Sequence, residues 1–462
     1  MNLIQTHQQQ RLSENNHLSN NRNGFFSTQQ DLGMIWKIDT LGSELDTRFG
    51  YSFNSGITGM DYQTSFLAPT SHLIMGEGDN FQRRHFIQMQ TDLTYVLPHR
   101  IRLETGLKST YQHYDSDANY YFNMDDELVS DPSRTNAFNY QERINAVYAQ
   151  ASVPLPGRLL LKGGLRLEHT FMEGKQTVPS DTSFVVNRAD LFPYLYLSRP
   201  VVEIAGYELR AYAIYRRTIG RPGYQHLNPY IRFVDQYLYE MGNPALKPQF
   251  TENVEANISF DDTPIFAVGH NRTRDIFSGV VYQDPQWGNV AIRTFDNVGR
   301  NRETYFRAAG AIPPGGKYFF VMGGQYNLNH YEGFYENQPL SFSRGSWRLF
   351  TFHSLNLTPT TRLTMMGFVM LNGQQNFYEL DTFGQLNFGL NQSFMNRRLN
   401  VSLSARDVLR TMVTPFSLNQ GSVSMQGERY SDNQRFGINI RYTFGVRQKR
   451  ERQQMFRFEM DE

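Results

Sequence analysis

Seven residues in one stiffened stretch of the chain could meet a ligand: Arg221, Tyr224, Tyr230, Arg232, Tyr237, Tyr239 and Glu240. Aromatic faces, two guanidinium groups and a carboxylate suit non-covalent recognition of a bulky solute, not bond cleavage. Pro222, Pro229, Pro244 and Pro248 remove backbone donors, and Gly223 and Gly242 permit tight turns, so the stretch is expected to be folded. Two roles stay open. The segment packs on neighbouring loops and fixes a rim, or its aromatics line a ligand vestibule with Arg221, Arg232 and Glu240.

Other chemistry finds little support in the residues. The absence of Cys removes thiolate catalysis, disulfides and Cys-ligated metals. The 11 His show no HExxH spacing, no Gly-x-Ser-x-Gly elbow occurs, and Gly315-Gly316-Lys317 lacks the spacing of a phosphate loop. Asp115, Asp117 and Asn119 open like a calcium loop with Asp126 in the twelfth place, but Tyr120 stands where such a loop needs glycine. The chain is therefore expected to be no enzyme and to carry no cofactor and no metal. A net charge of +1 gives no hint of nucleic acid.

The elements that must position the seven residues are strands. Arg435 to Gly445 alternates Phe436, Ile438, Ile440, Tyr442 and Phe444 against Asn439, Arg441 and Thr443, as suits a strand with lipid on one face and water on the other. The pattern recurs. Ile87 to Leu97 turns at Pro98-His99-Arg100 into Ile101 to Tyr111, and Ile144 to Val153 turns at Pro154 to Gly157 into Leu159 to Phe171. No apolar run reaches the 18 or so residues of a spanning helix. Tyr 27 and Phe 35 instead supply the aromatic rims of a barrel.

Further short turns fall near 261–264, 312–316, 359–361 and 395–398, and long polar connections near 113–137, 172–189, 218–249, 331–345 and 410–433. Short and long links alternate, as they do in outer-membrane barrels with tight periplasmic turns and long external loops. Keeping that alternation requires 289–311 to be one strand. The count is then about 17 strands, the first near Asp31 to Ile38. An odd count leaves residues 1–28 outside the cell, so several leading strands are expected to precede this sequence, whose first residues show no export signal.

From Tyr215 the chain reads YRRTIGRPGYQHLNPYIRFVDQYLYEMGNPALKPQF. This resembles the signature segment of the outer-membrane β-barrel family of TonB-dependent receptors. The residues that carry the likeness are Arg221, Pro222, Leu227, Asn228, Pro229, Gly242, Asn243, Pro244, Leu246, Lys247 and Pro248. Weaker likeness lies at Tyr140 to Ile144, Tyr148 to Gln150, Gly164 to Glu168, Leu191 to Pro193 and the closing strand, so it covers most of 84–445. The resemblance implies an all-β, antiparallel, up-and-down transmembrane barrel of 22 strands, a lumen plug and uptake powered through TonB. Here the plug and first strands are missing from the pattern.

Three segments are expected: a polar external loop or disordered lead over 1–28, a partial outer-membrane barrel over 29–445, and a charged periplasmic tail over 446–462. The expected function is binding and import of an unidentified bulky nutrient, the alternative a structural or adhesive barrel that transports nothing. Expected partners are outer-membrane lipids, the barrel-assembly machinery, an unknown external ligand, and the TonB system only through the missing plug.

Overall fold

The computed structural model describes residues 2–445 apart from 8–9, 69, 125–126, 133–134, 205, 236–237, 261–262, 285–289, 313–315, 336–337, 376–377 and 421–422. The charged tail expected over 446–462 lies outside the described residues. Nearly everything else is strand. Among the described residues seventeen wall strands run from Gln10–Lys37 to Arg435–Tyr442, the number expected, and the remaining strands lie in the connections or at the start. Ala291–Ile312 is one continuous strand, so the alternation of links holds through the middle of the chain.

Two compact units divide the chain, Met1–Phe306 with Asn327–Arg344 and Arg307–Tyr326 with Gly345–Glu462. In the first, sequential antiparallel pairing sets Thr91, Leu107, Val147, Leu167 and Leu191 in one row across five strands. Leu107, Val147, Leu167 and Leu191 are exposed on that face. The opposite face carries Asp46, Asp92, Tyr148 and Arg166 in matching register. The pleat turns period-2 sequence directly into one apolar and one polar face.

In the second unit the same device aligns Leu355, Leu363, Leu390, Leu403 and Ile438 on one face. Asn356, Arg362, Asn391, Ser402 and Asn439 form the matching row on the other. A separate small sheet in this unit holds the hairpin Val413–Gln420 and Val423–Tyr430.

Three expectations need correction. Residues 10–28 are not a loop: Gln10–Lys37 is strand, and from Glu14 to Lys37 it pairs along Glu44–Ala68. Its Asn/Gln-rich sequence lacks alternation, but ladder bonds are made by the main chain, so a partner strand suffices. Most of the long connections are likewise extended hairpins. The strands of 159–204, for example, continue to Val178 and resume at Thr182. Asp115, Asp117 and Asn119 lie in the strand Arg102–Met124, where Asp115 accepts from Asn139 Nδ2 at 2.6 Å, and Asp126 is outside the described residues.

Candidate functional site

The strands Tyr207–Gly220 and Gln249–Phe260 pair down to Gly220 opposite Gln249, which closes the base of the connection that carries the seven candidates. Within it Tyr224–Leu227 forms a single helical turn. His226 Nδ1 accepts the Gly223 N–H at 3.1 Å, which fixes the entry to that turn. Gly242 N–H donates to Asn228 O at 2.8 Å and Asn243 N–H to His226 O at 2.7 Å, so the two arms of the connection are tied backbone to backbone. A Cβ at Gly242 would lie 2.4 Å from Asn228 O, and no flexible side chain could yield there. That is a physical reason for glycine at this signature position.

Asn243 serves as a second clasp. Its Oδ1 accepts the Ala245 N–H at 2.9 Å and its Nδ2 donates to Phe295 O at 3.0 Å. At the far end Asn297 Oδ1 accepts the Lys247 N–H at 2.8 Å while Asn297 Nδ2 donates to Lys247 O at 3.0 Å. Leu227 and Leu246 then drop into a cluster with Tyr114, Phe138, Tyr140 and Met172 from the wall strands. Leu227 is fully buried and Leu246 nearly so. Each such burial stabilises by about 1.5–3 kcal/mol.

The candidates fall into different fates. Arg221 reaches the wall, donating to Glu168 Oε2 at 2.5 Å and Thr170 Oγ1 at 3.0 Å, and Arg166 binds the other oxygen of Glu168. Tyr224 packs against Tyr114 with the rings tilted and their centroids 3.7 Å apart, and accepts its hydroxyl proton at 2.5 Å. Tyr239 is buried and donates to Asp284; burial first, then that carboxylate, pushes its hydroxyl pKa up. Glu240 pairs with Arg293. Arg232 is placed by its backbone pairing opposite Glu240, and Tyr237 lies outside the described residues. Leu238–Glu240 adds in parallel to Ala291–Arg293, an extra strand on the wall.

A cavity of about 510 Å³ remains beside this packing. Tyr224, Tyr230 and Glu240 line it together with His226, Asn228 and Phe295, and Asn80, Gln82 and Ser116 face it from two wall strands. The His226 ring packs at a tilt against Phe295, centroids 4.3 Å apart, and burial holds its imidazole pKa below the ordinary value. The structure thus brings Tyr224, Tyr230 and Glu240 to one cavity and commits Arg221 and Tyr239 to packing. Sequence reasoning missed His226, Arg293, Phe295 and the wall amides. His226 had a signal, since it sits inside the stiffened segment. Asn80, Gln82 and Ser116 had only strand parity, which gives a face and not a neighbour. Among the described residues no group of three or more His, Asp or Glu could hold a metal ion.

These features define an outer-membrane β-barrel whose wall supports a folded, cavity-lining connection. Residues 36–442 match the model of the outer membrane protein beta-barrel family, and the chain belongs to that family. No curated protein matches it. Solved structures with a similar fold include the copper transporter OprC, with TM-score 0.56 and 10% identity over 94% of this chain and 76% of the other. The ferric yersiniabactin uptake receptor FyuA from Yersinia pestis is also similar, with TM-score 0.55 and 13% identity over 95% of this chain and 72% of that one. So is the siderophore receptor PirA from Pseudomonas aeruginosa, with TM-score 0.50 and 12% identity over 88% of this chain and 76% of that one. At such identities the likeness is one of fold.

Proposed function

We propose that the chain forms the wall and the binding connection of a TonB-dependent-receptor-like protein that takes up a bulky external ligand. In this reading the long connections are external, the short turns and the C-terminus face the periplasm, and transport depends on a plug engaged by TonB. The observation that carries the reading is the cavity lined by Tyr224, Tyr230 and Glu240, mouthed by a connection too well clasped to be a solvated loop. Rigid aromatic and amide groups around a preformed cavity bind with little ordering cost.

A second reading has its own support. Leu227, Leu246, Arg221 and Tyr239 are all consumed in packing against the wall, which is what a structural or adhesive barrel would need of this segment. Titration of the purified protein in detergent with ferric enterobactin, ferric yersiniabactin, Cu²⁺, a cyclodextrin and an octapeptide separates the two. Saturable binding lost in Tyr230→Ala supports uptake; no binding by any probe, with uptake equal in TonB-positive and TonB-negative cells, favours the structural barrel.

A further inference from the structure

A second cavity lies wholly within the second unit and has a different lining. It is open, of about 1080 Å³, and crosses five wall strands from 308–310 to 383–386. Neighbouring strands stand about 4.8 Å apart, so it is roughly 19 Å long. Among the described residues its lining is apolar or small, with Thr351, Thr382, Thr411 and Gln385 as the polar side chains and no charged one. The first unit's cavity, by contrast, is lined in part by Glu240, Arg293 and His226.

Register puts its rings on the polar face of the sheet. Phe350 lies opposite Phe368 and Phe368 opposite Gln385, an even number of residues along their strands from Asn356, Arg362 and Asn391. They therefore share the face that meets water in an outer-membrane barrel. Phe350 is 47% exposed there, and Phe383 meets Phe368 edge to face with centroids 6.2 Å apart. Gly323 makes room for the first ring: a Cβ on it would lie 2.7 Å from Phe350 Cε1 and 3.0 Å from Ala308 O. Rings gathered on a wetted face cost free energy until something apolar covers them.

One side of the cavity is tied in place by its backbone. Asp407 N–H donates to Asn387 Oδ1 at 2.8 Å, Val408 N–H to Leu386 O at 3.0 Å and Gly384 N–H to Thr411 O at 3.1 Å, so 407–411 is fastened along the strand Phe383–Phe394. Asp407 is fully buried and accepts the Thr411 N–H at 2.9 Å, which holds the turn that carries Leu409. Leu409, Val413 and Pro415 then complete the lining. An elongated, preformed cavity without charge suits an alkyl chain, whereas a charged chelate would find no counter-ion in it. We infer that this cavity is a binding site for the hydrocarbon tail of an amphiphilic solute that arrives from water and leaves its polar head there.

The test is a chain-length series. The whole chain in polymer-bound phosphatidylcholine discs is titrated calorimetrically with sodium octanoate, decanoate, dodecanoate, tetradecanoate and hexadecanoate, and empty discs give the blank for partition into lipid. The expected result is saturable binding that tightens about two- to fourfold per added methylene and levels off once the chain outgrows the cavity. F350Q/L409Q, which changes two exposed side chains, is expected to weaken dodecanoate binding about tenfold, and F350L to keep most of it. Tyr230→Ala, in the first unit's cavity, is expected to leave it unchanged, so this site and the uptake reading fail separately. Heat-shifted gel mobility checks that each variant is folded, and the wild-type series stands even where a variant fails that check. Heats equal to those of empty discs would overturn the proposal, as would undiminished binding in folded F350Q/L409Q. So would a phospholipid that stays with the purified protein and blocks the titration until it is extracted, since the chain in the cavity would then come from the bilayer.

Discussion

The two units follow one strand plan and use its polar face differently. In the first, charges answer one another: Arg48 pairs with Asp46, Tyr148 donates to Asp92, Arg166 lies over the Tyr148 ring at 5.0 Å, and Glu168 takes both Arg166 and Arg221. In the second, the polar face carries amides and hydroxyls at one level and Phe350, Phe368 and Met366 at another, with cations gathered at the short-turn edge. The lesson is that a pleated strand specifies which residues share a face, while the chemistry of that face is set independently. The first unit uses its charge to hold a connection in place, whereas the second sets Arg362, Arg397, Arg398 and Arg441 at one edge, away from its described carboxylates.

The contrast can be broken hardest at Leu227. Leu227→Ala removes a fully buried side chain from under the connection and is expected to cost about 2–5 kcal/mol of its local stability, read as faster limited proteolysis within 221–248 with the strands still protected. Leu403→Ala, on the exposed apolar face of the second unit, is expected to leave proteolysis unchanged.

Next comes the charge network. Arg221→Ala leaves Glu168 buried with only Arg166 as cationic partner and is expected to cost on the order of 3 kcal/mol. Arg221→Lys restores part of this, because an ammonium cannot keep the guanidinium's fixed fork to Glu168 and Thr170 together. Arg398→Gln in the second unit should change denaturation in detergent by less than about 0.5 kcal/mol. Equal losses at Arg221 and Arg398 would erase the distinction between the units.

A smaller effect tracks pH. Burial lowers the folded-state pKa of His226 from its ordinary 6.5, so the unfolded connection binds the proton more readily. Its contribution is complete above pH 6.5 and lost as pH falls through the lowered folded value. Proteolysis of the connection should therefore quicken between pH 7.5 and 5, and His226→Gln should flatten that dependence. The smallest effect is expected at Asp39, whose carboxylate accepts the Leu41 and Ser43 N–H groups at 2.8 and 2.9 Å. The Ser43 hydroxyl and backbone lower its pKa, so this support is present above about pH 3.8 and fails as pH drops through the lower folded value. Asp39→Asn should leave heat-shifted mobility unchanged at pH 7 and remove only that acid dependence.

Much of this architecture was legible in the chain. Alternation in Arg435 to Gly445 and around Pro98 and Pro154 announced strands and tight turns because side chains on a strand repeat every second residue, a purely local rule. The turn near 204–207 was not foreseen: Gly206, with φ of 83°, is its only signal in an otherwise strand-like run. The strand over 10–28 was also illegible, since its ladder partner at 44–68 supplies hydrogen bonds that no side-chain pattern advertises.

For the candidate site, the sequence by itself determined that 221–248 would be stiff, aromatic and folded, because Pro and Gly act on their own backbone. It also determined which residues of each wall strand share a face. Only the tertiary structure decided that Arg221 would be drawn to Glu168, that Tyr239 would be buried against Asp284, and that Tyr224, Tyr230 and Glu240 would meet Asn80, Gln82 and Ser116 around one cavity. Those partners lie far along the chain, and strand register, fixed by hydrogen bonds between backbones, is what brings them level.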